Sequence, residues 1–154
     1  MDLGDLIAPE GIVSCLKAKN KKQALEELAR KAEDLTGLDR AVVFEVLLQR
    51  ERLGSTGVGR GIAIPHGRLP GLDGVVTVFA RLEEPIPFDS IDEEPVDLVF
   101  LLLAPEHAGA DHLKALARIS RLLRDPQSIQ KLRTCKDSRA LHAVLTQPMA
   151  SHAA

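Results

Sequence analysis

Nine consecutive residues, VDLVFLLLA from Val96 to Ala104, carry a single polar side chain, Asp97. The run is too short to cross a bilayer and too continuous in its hydrophobicity to face water at alternate positions. It reads as a β-strand buried on both faces, the centre of a sheet that must be covered by helices on either side. Flanking segments agree with that layering. Further strands are expected at residues 12–16 (IVSCL), at 75–82 (VVTVFARL) and at IAIPH, where Pro65 holds a short strand at an edge or ends it.

Helical signals alternate with these strands. Asn20 can cap a helix over 21–36, with Gln23 at the capping-box position, apolar Ala24, Leu25, Leu28, Ala32 and Leu35 at helical spacing, and Gly37 as the stop. Asp39 can cap a second helix, lined by Val42, Val43, Val46 and Leu47 and widened by Phe44 and Leu48, which carries Arg50 at its C-terminal end. Asp111 opens a third with Leu113, Leu116, Ile119, Leu122 and Leu123 on its apolar face. Asp125-Pro126 starts a fourth, and a fifth spans 138–145. The fold class that follows is α/β, a mixed β-sheet sandwiched between helices on both faces. At 154 residues and 45% hydrophobic content the chain fits one domain, placed at 1–147, with 148–154 as a flexible tail.

Composition removes several function classes. Twenty Lys and Arg against 22 Asp and Glu leave a net charge of −2 with the cations scattered, so no footprint for nucleic acid is formed. Trp and Tyr are absent, which takes away the stacking platforms of single-stranded nucleic-acid and sugar binders. Cys15 and Cys135 stand far apart without CxxC spacing and read as two reduced thiols. The acidic start MDLGDLIAPEG lacks a basic segment leading into an apolar one. No stretch is long enough to span a membrane, and a cytoplasmic protein is expected.

The glycine-rich stretch GSTGVGRGIAIPHGR, from Gly54 to Arg68, invites a nucleotide reading that its details refuse. A phosphate-binding GxxxxGK[ST] loop needs a lysine for the outer phosphates and a hydroxyl for magnesium; Gly54 and Gly59 have the spacing, but Arg60 and Gly61 occupy those two positions. A dinucleotide fingerprint runs from strand through turn into helix, whereas this stretch follows a helix and leads into a strand. Two readings remain. The glycines at 54, 57, 59 and 61 either supply positive φ for a tight connection alone, or serve His66, which follows Pro65 and is held stiffly at a strand end.

Of five histidines, His152 falls in the tail, His142 on a solvated helix face, and His107 and His112 around the loop after the central strand. His112 is the stronger candidate, because the first turn of a helix disfavours imidazolium and welcomes an anion. Three uses for His66 and His112 compete. Metal ligation lacks a third partner and any HxH, HxxxH or HExxH spacing. Hydrolysis could draw on Ser55 or Thr56 as nucleophile, but GxSxG and an acidic orienter are missing. In the third, His66 is itself the nucleophile for phosphoryl transfer, a role that suits a neutral imidazole at pH 7. Glycine amides, the Ser55 and Thr56 hydroxyls, Arg50 and His112 are then the groups that steady the phosphoryl oxygens.

The runs Arg50-Glu51-Arg52-Leu53-Gly54-Ser55-Thr56-Gly57-Val58-Gly59 and Gly61-Ile62-Ala63-Ile64-Pro65-His66-Gly67 closely resemble enzyme IIA of the fructose/mannitol class in the phosphoenolpyruvate-dependent phosphotransferase system, most of all its nitrogen-type regulatory branch. The likeness continues through Pro95-Val96-Asp97-Leu98, Leu102-Leu103-Ala104-Pro105-Glu106 and His112-Leu113-Lys114, and so covers nearly the whole chain. The resemblance implies phosphorylation of His66, with His112 and Arg50 as its site partners; Ser55, Thr56, Gly57 and Gly67, from the surrounding loop, are the expected phosphoryl-binding positions. No metal and no cofactor are implied. It further implies an HPr-like phosphocarrier as donor and, downstream, either regulatory targets such as potassium-transport or sensor proteins, or an enzyme IIB for sugar uptake. The chain ends near the end of one domain without a linker to a IIB module, which favours the regulatory output. One departure stands out: Asp92 is followed by Glu93 and Glu94, where the family pattern has a glycine, so the neighbouring turn is expected to differ.

Overall fold

The computed structural model describes residues 6–107 and 109–146. A short 3-10 turn, Pro9–Gly11, leads into β1 (Ile12–Leu16), then α1 (Lys21–Thr36) and α2 (Arg40–Arg52). Three short strands follow, β2 (Gly57–Gly59), β3 (Ile62–Ala63) and β4 (His66–Leu69). Two long ones, β5 (Val76–Ile86) and β6 (Val96–Pro105), precede α3 (Gly109–Leu123), α4 (Pro126–Thr134) and α5 (Ser138–Leu145). The six strands form one mixed sheet in the order β1-β5-β6-β3-β2, with β4 also paired to β6. β5 and β6 run antiparallel, while β1 on β5 and β3 and β4 on β6 are parallel.

Strand β6 is the centre that its composition predicts. Val99, Leu101 and Leu103 point into a core shared with Ala24, Leu25 and Leu28 of α1 and Val43 and Leu47 of α2. Leu98, Phe100 and Leu102 point the other way, onto Ala115 and Ile119 of α3, Ile129 and Leu132 of α4, and Leu141 and Leu145 of α5. Two apolar layers on one strand explain why the run has no alternation.

Local chemistry fixes the helix boundaries. The Asn20 side chain accepts from Gln23 N at 2.9 Å and Gly37 closes α1 at φ +79°; the Gln23 side chain accepts from Lys19 N rather than from Asn20 N. Asp39, Asp125 and Asp137 cap α2, α4 and α5 in the same way. Helix α3 begins at Gly109, two residues ahead of Asp111.

Four expectations are corrected. Strand β5 runs on through Pro85 to Ile86, because the pairing with β6 slips between Arg81 and Ile86 and a bulge needs no amide from proline. IAIPH is not one strand but β3, a break at Ile64-Pro65 and the first residue of β4; the two strands hold a single register along β6 (Ile62 on Leu98, His66 on Leu102), with the Pro65 carbonyl accepting from Leu102 N at 2.9 Å. Val42 and Leu113, expected on core faces, are exposed, Leu113 at 65%. His142 is half-buried, its Nε2 3.1 Å from the Ile7 carbonyl, and not on a solvated face. The expected tail, including His152, lies outside the described residues.

Candidate functional site

The glycine-rich stretch builds a hairpin. β2 and β3 are antiparallel neighbours joined by Arg60 and Gly61, both at positive φ (57° and 80°), the combination a two-residue primed turn requires. Gly54 and Gly59 are also left-handed, but Gly57 is not; it is needed because its backbone lies against Ser90, leaving no room for a Cβ. Arg133 of α4 pins the hairpin tip, bonding the Arg60 carbonyl and pairing with Asp97 at 2.9 Å. Asp92 accepts from Arg60 N at 2.9 Å and from Glu94 N at 3.1 Å, bonds that hold its carboxyl below the usual range. Glu93, standing where the resembled pattern has glycine, takes the left-handed conformation itself at φ 62°.

The hairpin and the Pro65 break deliver His66 to the first position of β4, where it is half-buried. Its Nδ1 lies 2.9 Å from the Ile64 carbonyl. A carbonyl oxygen only accepts, so Nδ1 carries the proton and, in the neutral ring, Nε2 keeps its lone pair. Arg50 Nε donates to that nitrogen at 3.3 Å, while Arg50 Nη1 donates to the Gly54 carbonyl at 2.8 Å.

Arg50 reaches His66 around the open side of β4, whose strand partner among the described residues is β6 alone. Side chains alternate along β4: His66 and Arg68 face the α3 side, Gly67 and Leu69 the α2 side. A Cβ on Gly67 would stand 2.6 Å from Val46 Cγ1 of α2, so the missing side chain is what lets α2 lie this close. His112 approaches from the other layer, in the first turn of α3, with its ring centroid 5.6 Å from that of His66 and the planes inclined at 65°. It is only 7% exposed, and its Nδ1 has no hydrogen-bond partner among the described residues. Burial, and then the repulsion an imidazolium here would meet from the His66 ring and from Arg68, push the His112 pKa below the ordinary imidazole value, so this ring stays neutral near pH 7 and can donate one N–H.

A cavity of about 600 Å³ opens over these groups, lined by Arg50, Arg52, His66, Gly67, Arg68 and His112 together with Val46, Gln49 and Leu53. Its charged and titratable lining is entirely arginine and histidine. The structure thus brings together His66, His112, Arg50 and Gly67. Ser55, Thr56 and Gly57 do not line the cavity. The Ser55 hydroxyl donates to the Phe88 carbonyl at 2.6 Å and accepts from Gly57 N at 3.0 Å; the buried Thr56 bonds Glu51 through both its amide, at 3.0 Å, and its hydroxyl. These bonds shape the loop from behind.

Sequence reasoning missed Glu51 and Arg68. The Glu51 side chain is 3% exposed and pairs with Lys21 Nζ of α1 at 2.8 Å. One carboxylate therefore ties α1, the end of α2 and the loop that receives Arg50. The signal was a charged residue inside the quoted motif with no chemistry of its own to perform. Elsewhere, His107 is exposed, Cys15 and Cys135 are free thiols, and no three His, Cys, Asp or Glu side chains converge as metal donors among the described residues. No described helix is long and apolar enough to cross a membrane.

Comparison with known proteins matches residues 5–147 to the family described as phosphoenolpyruvate-dependent sugar phosphotransferase system, EIIA 2. The nitrogen regulatory protein of Bradyrhizobium diazoefficiens is 61% identical over 153 residues, covering 99% of this chain and all of that one. That of Escherichia coli K12 is 40% identical over 147 residues, 95% of this chain and 90% of that one. The crystal structure of the nitrogen regulatory protein IIA-Ntr from Neisseria meningitidis superposes with a TM-score of 0.88 at 38% identity, covering 94% of this chain and 99% of that one. The E. coli mannitol IIA in its complex with phosphorylated IIB shares the fold, with a TM-score of 0.76 at 22% identity over 91% of this chain and 98% of that one. The chain belongs to the EIIA 2 family of phosphoryl-transfer components, on its nitrogen-regulatory branch.

Proposed function

We propose that this protein is a cytoplasmic phosphohistidine carrier that accepts a phosphoryl group from an HPr-like protein on Nε2 of His66 and acts as a nitrogen-type regulator through its phosphorylation state. The observation that carries the reading is the Nδ1–H bond to the Ile64 carbonyl, which leaves the Nε2 lone pair turned to Arg50 inside a cationic cavity. In the transfer, the Nε2 lone pair forms a bond to phosphorus as the P–N bond to the donor's imidazole breaks and its electron pair returns to that ring. Nδ1 keeps its proton on Ile64 throughout, so His66 passes from neutral imidazole to phosphoimidazolium while the donor ring makes the reverse change, and no proton need move. Arg50 and the neutral His112 supply N–H groups to the equatorial oxygens, the stabilisation this reaction mainly asks of a protein.

Ser55, Thr56 and Gly57 act in this reading by holding the loop that fixes Arg50 through the Gly54 carbonyl, and Gly67 by admitting α2. Incubation with phosphoenolpyruvate, enzyme I and an HPr-like carrier should label the protein stoichiometrically at His66 Nε2, identified by phosphorus NMR. Labelling of His66→Ala would refute the assignment. Capturing partners on the phosphorylated protein and on His66→Ala separates the two outputs: regulatory targets that bind only one form support the regulator, whereas onward transfer to an enzyme IIB supports a sugar-uptake role.

A further inference from the structure

We propose that Arg68 is a second cationic contact for the phosphoryl group on His66, in addition to Arg50; the inference rests on phosphorylation of His66. Arg68 stands two positions after His66 along β4, with Gly67 alone between them, so their side chains leave the same face of the strand, with α-carbons about 7 Å apart. Both line the cavity, and the positive charge of Arg68 is felt at His112 across it. Arg50 is already engaged, donating to the Gly54 carbonyl and to His66 Nε2. Arg68 is exposed, and its side chain has no ion pair or hydrogen bond among the described residues. A guanidinium on a four-atom stem at this position spans the distance to an oxygen on Nε2, and presents a planar fork suited to two phosphoryl oxygens.

Besides His66, the charged and titratable residues lining the cavity are Arg50 and Arg52 from α2, Arg68 from β4 and His112 from α3, with no carboxylate to cancel them. Arg52 sits at the end of α2, where a cation also favours the helix dipole, and so serves as the comparison.

The test is a phosphorus NMR titration of the phosphorylated full-length protein, as wild type, Arg68→Gln, Arg68→Lys and Arg52→Gln, alongside the rate of phosphorylation by the HPr-like carrier. Loss of one cation at this separation should raise the phosphoryl pKa by about half a unit. The phosphorylation rate should fall about tenfold in Arg68→Gln, with the lysine variant restoring most of the pKa shift and less of the rate. An unshifted pKa and rate in Arg68→Gln, or an equal shift in Arg52→Gln, would overturn the role of Arg68 while leaving His66 as the carrier. Failure of every form, wild type included, to take up phosphate would instead reject the phosphocarrier reading, and this inference with it.

Discussion

Replacing Gly67 by alanine should open a wedge between two elements whose closeness makes the site. The added Cβ would stand 2.6 Å from Val46 Cγ1, where carbon atoms settle at about 3.5–4.0 Å, so about 1 Å has to be found. Val46 cannot swing aside, since a β-branched side chain in a helix is confined to essentially one rotamer. Nor can α2 tilt freely, because Val43 and Leu47 of the same helix are fully buried against the sheet. Gly67 is not among the positive-φ residues, so the penalty is packing alone. Overpacking of this kind costs about 1–3 kcal/mol, or roughly 3–10 °C in Tm for a domain of this size.

The kinetic effect should exceed the thermodynamic one. Arg50 rides on α2, and a shift of about 1 Å takes its Nε out of the 3.3 Å contact with His66, a misplacement that can cost about a hundredfold in rate. Denaturation is best followed by far-ultraviolet circular dichroism, as the chain has neither Trp nor Tyr, and phosphorylation by transfer from the HPr-like carrier. Val46→Ala in the Gly67→Ala background removes the clashing carbon and should recover part of both losses. A Gly67→Ala protein with an unchanged midpoint and rate, or a double variant no better than the single, would refute Gly67 as the spacer between α2 and β4.

Glu51→Ala should lose about 3–5 kcal/mol in urea denaturation, because it leaves both buried Thr56 donors unpaired and the 19%-exposed Lys21 ammonium with only the exposed Asp89 carboxylate at 3.7 Å; a loss under about 1 kcal/mol would remove the strut from the account. His112 gives a pH signature. Its folded pKa lies below its unfolded value near 6.5, so the unfolded chain takes up the proton first and stability falls as pH drops through that value, by at most about 1.4 kcal/mol per pH unit. Above about pH 7.5 this contribution is flat. Comparing denaturation midpoints at pH 7.5 and 5.5, His112→Gln should lose less than wild type, and identical losses would contradict a buried neutral ring.

Elements whose ends are set by their own residues were legible in the chain. Asn20, Asp39 and Asp125 announce their helices because a cap is a bond across two or three residues. The two-sided burial of β6 was equally plain. What escaped depends on partners far away in sequence. Spacing placed Val42 and Leu113 on apolar stripes, but only the docking of α2 and α3 decides which edge of a wide stripe meets the sheet. Ser55 and Thr56 looked available as phosphoryl donors until Phe88 and Glu51 claimed their hydroxyls. The motif singled out His66 and Arg50, which the fold brings into contact, whereas the bond that sets the ring's tautomer joins His66 to a carbonyl, which no side-chain pattern reveals.

Arg50 comes from the layer of α1 and α2, His112 from the layer of α3 to α5, and His66 from the sheet between them. On the proposed mechanism, chemistry at the imidazole is therefore possible only while both halves are seated on the same strand. A loosening of either half that leaves the other folded disables the protein as a carrier, and enzymatic turnover becomes a more sensitive gauge of correct assembly than any spectroscopic measure of helix content.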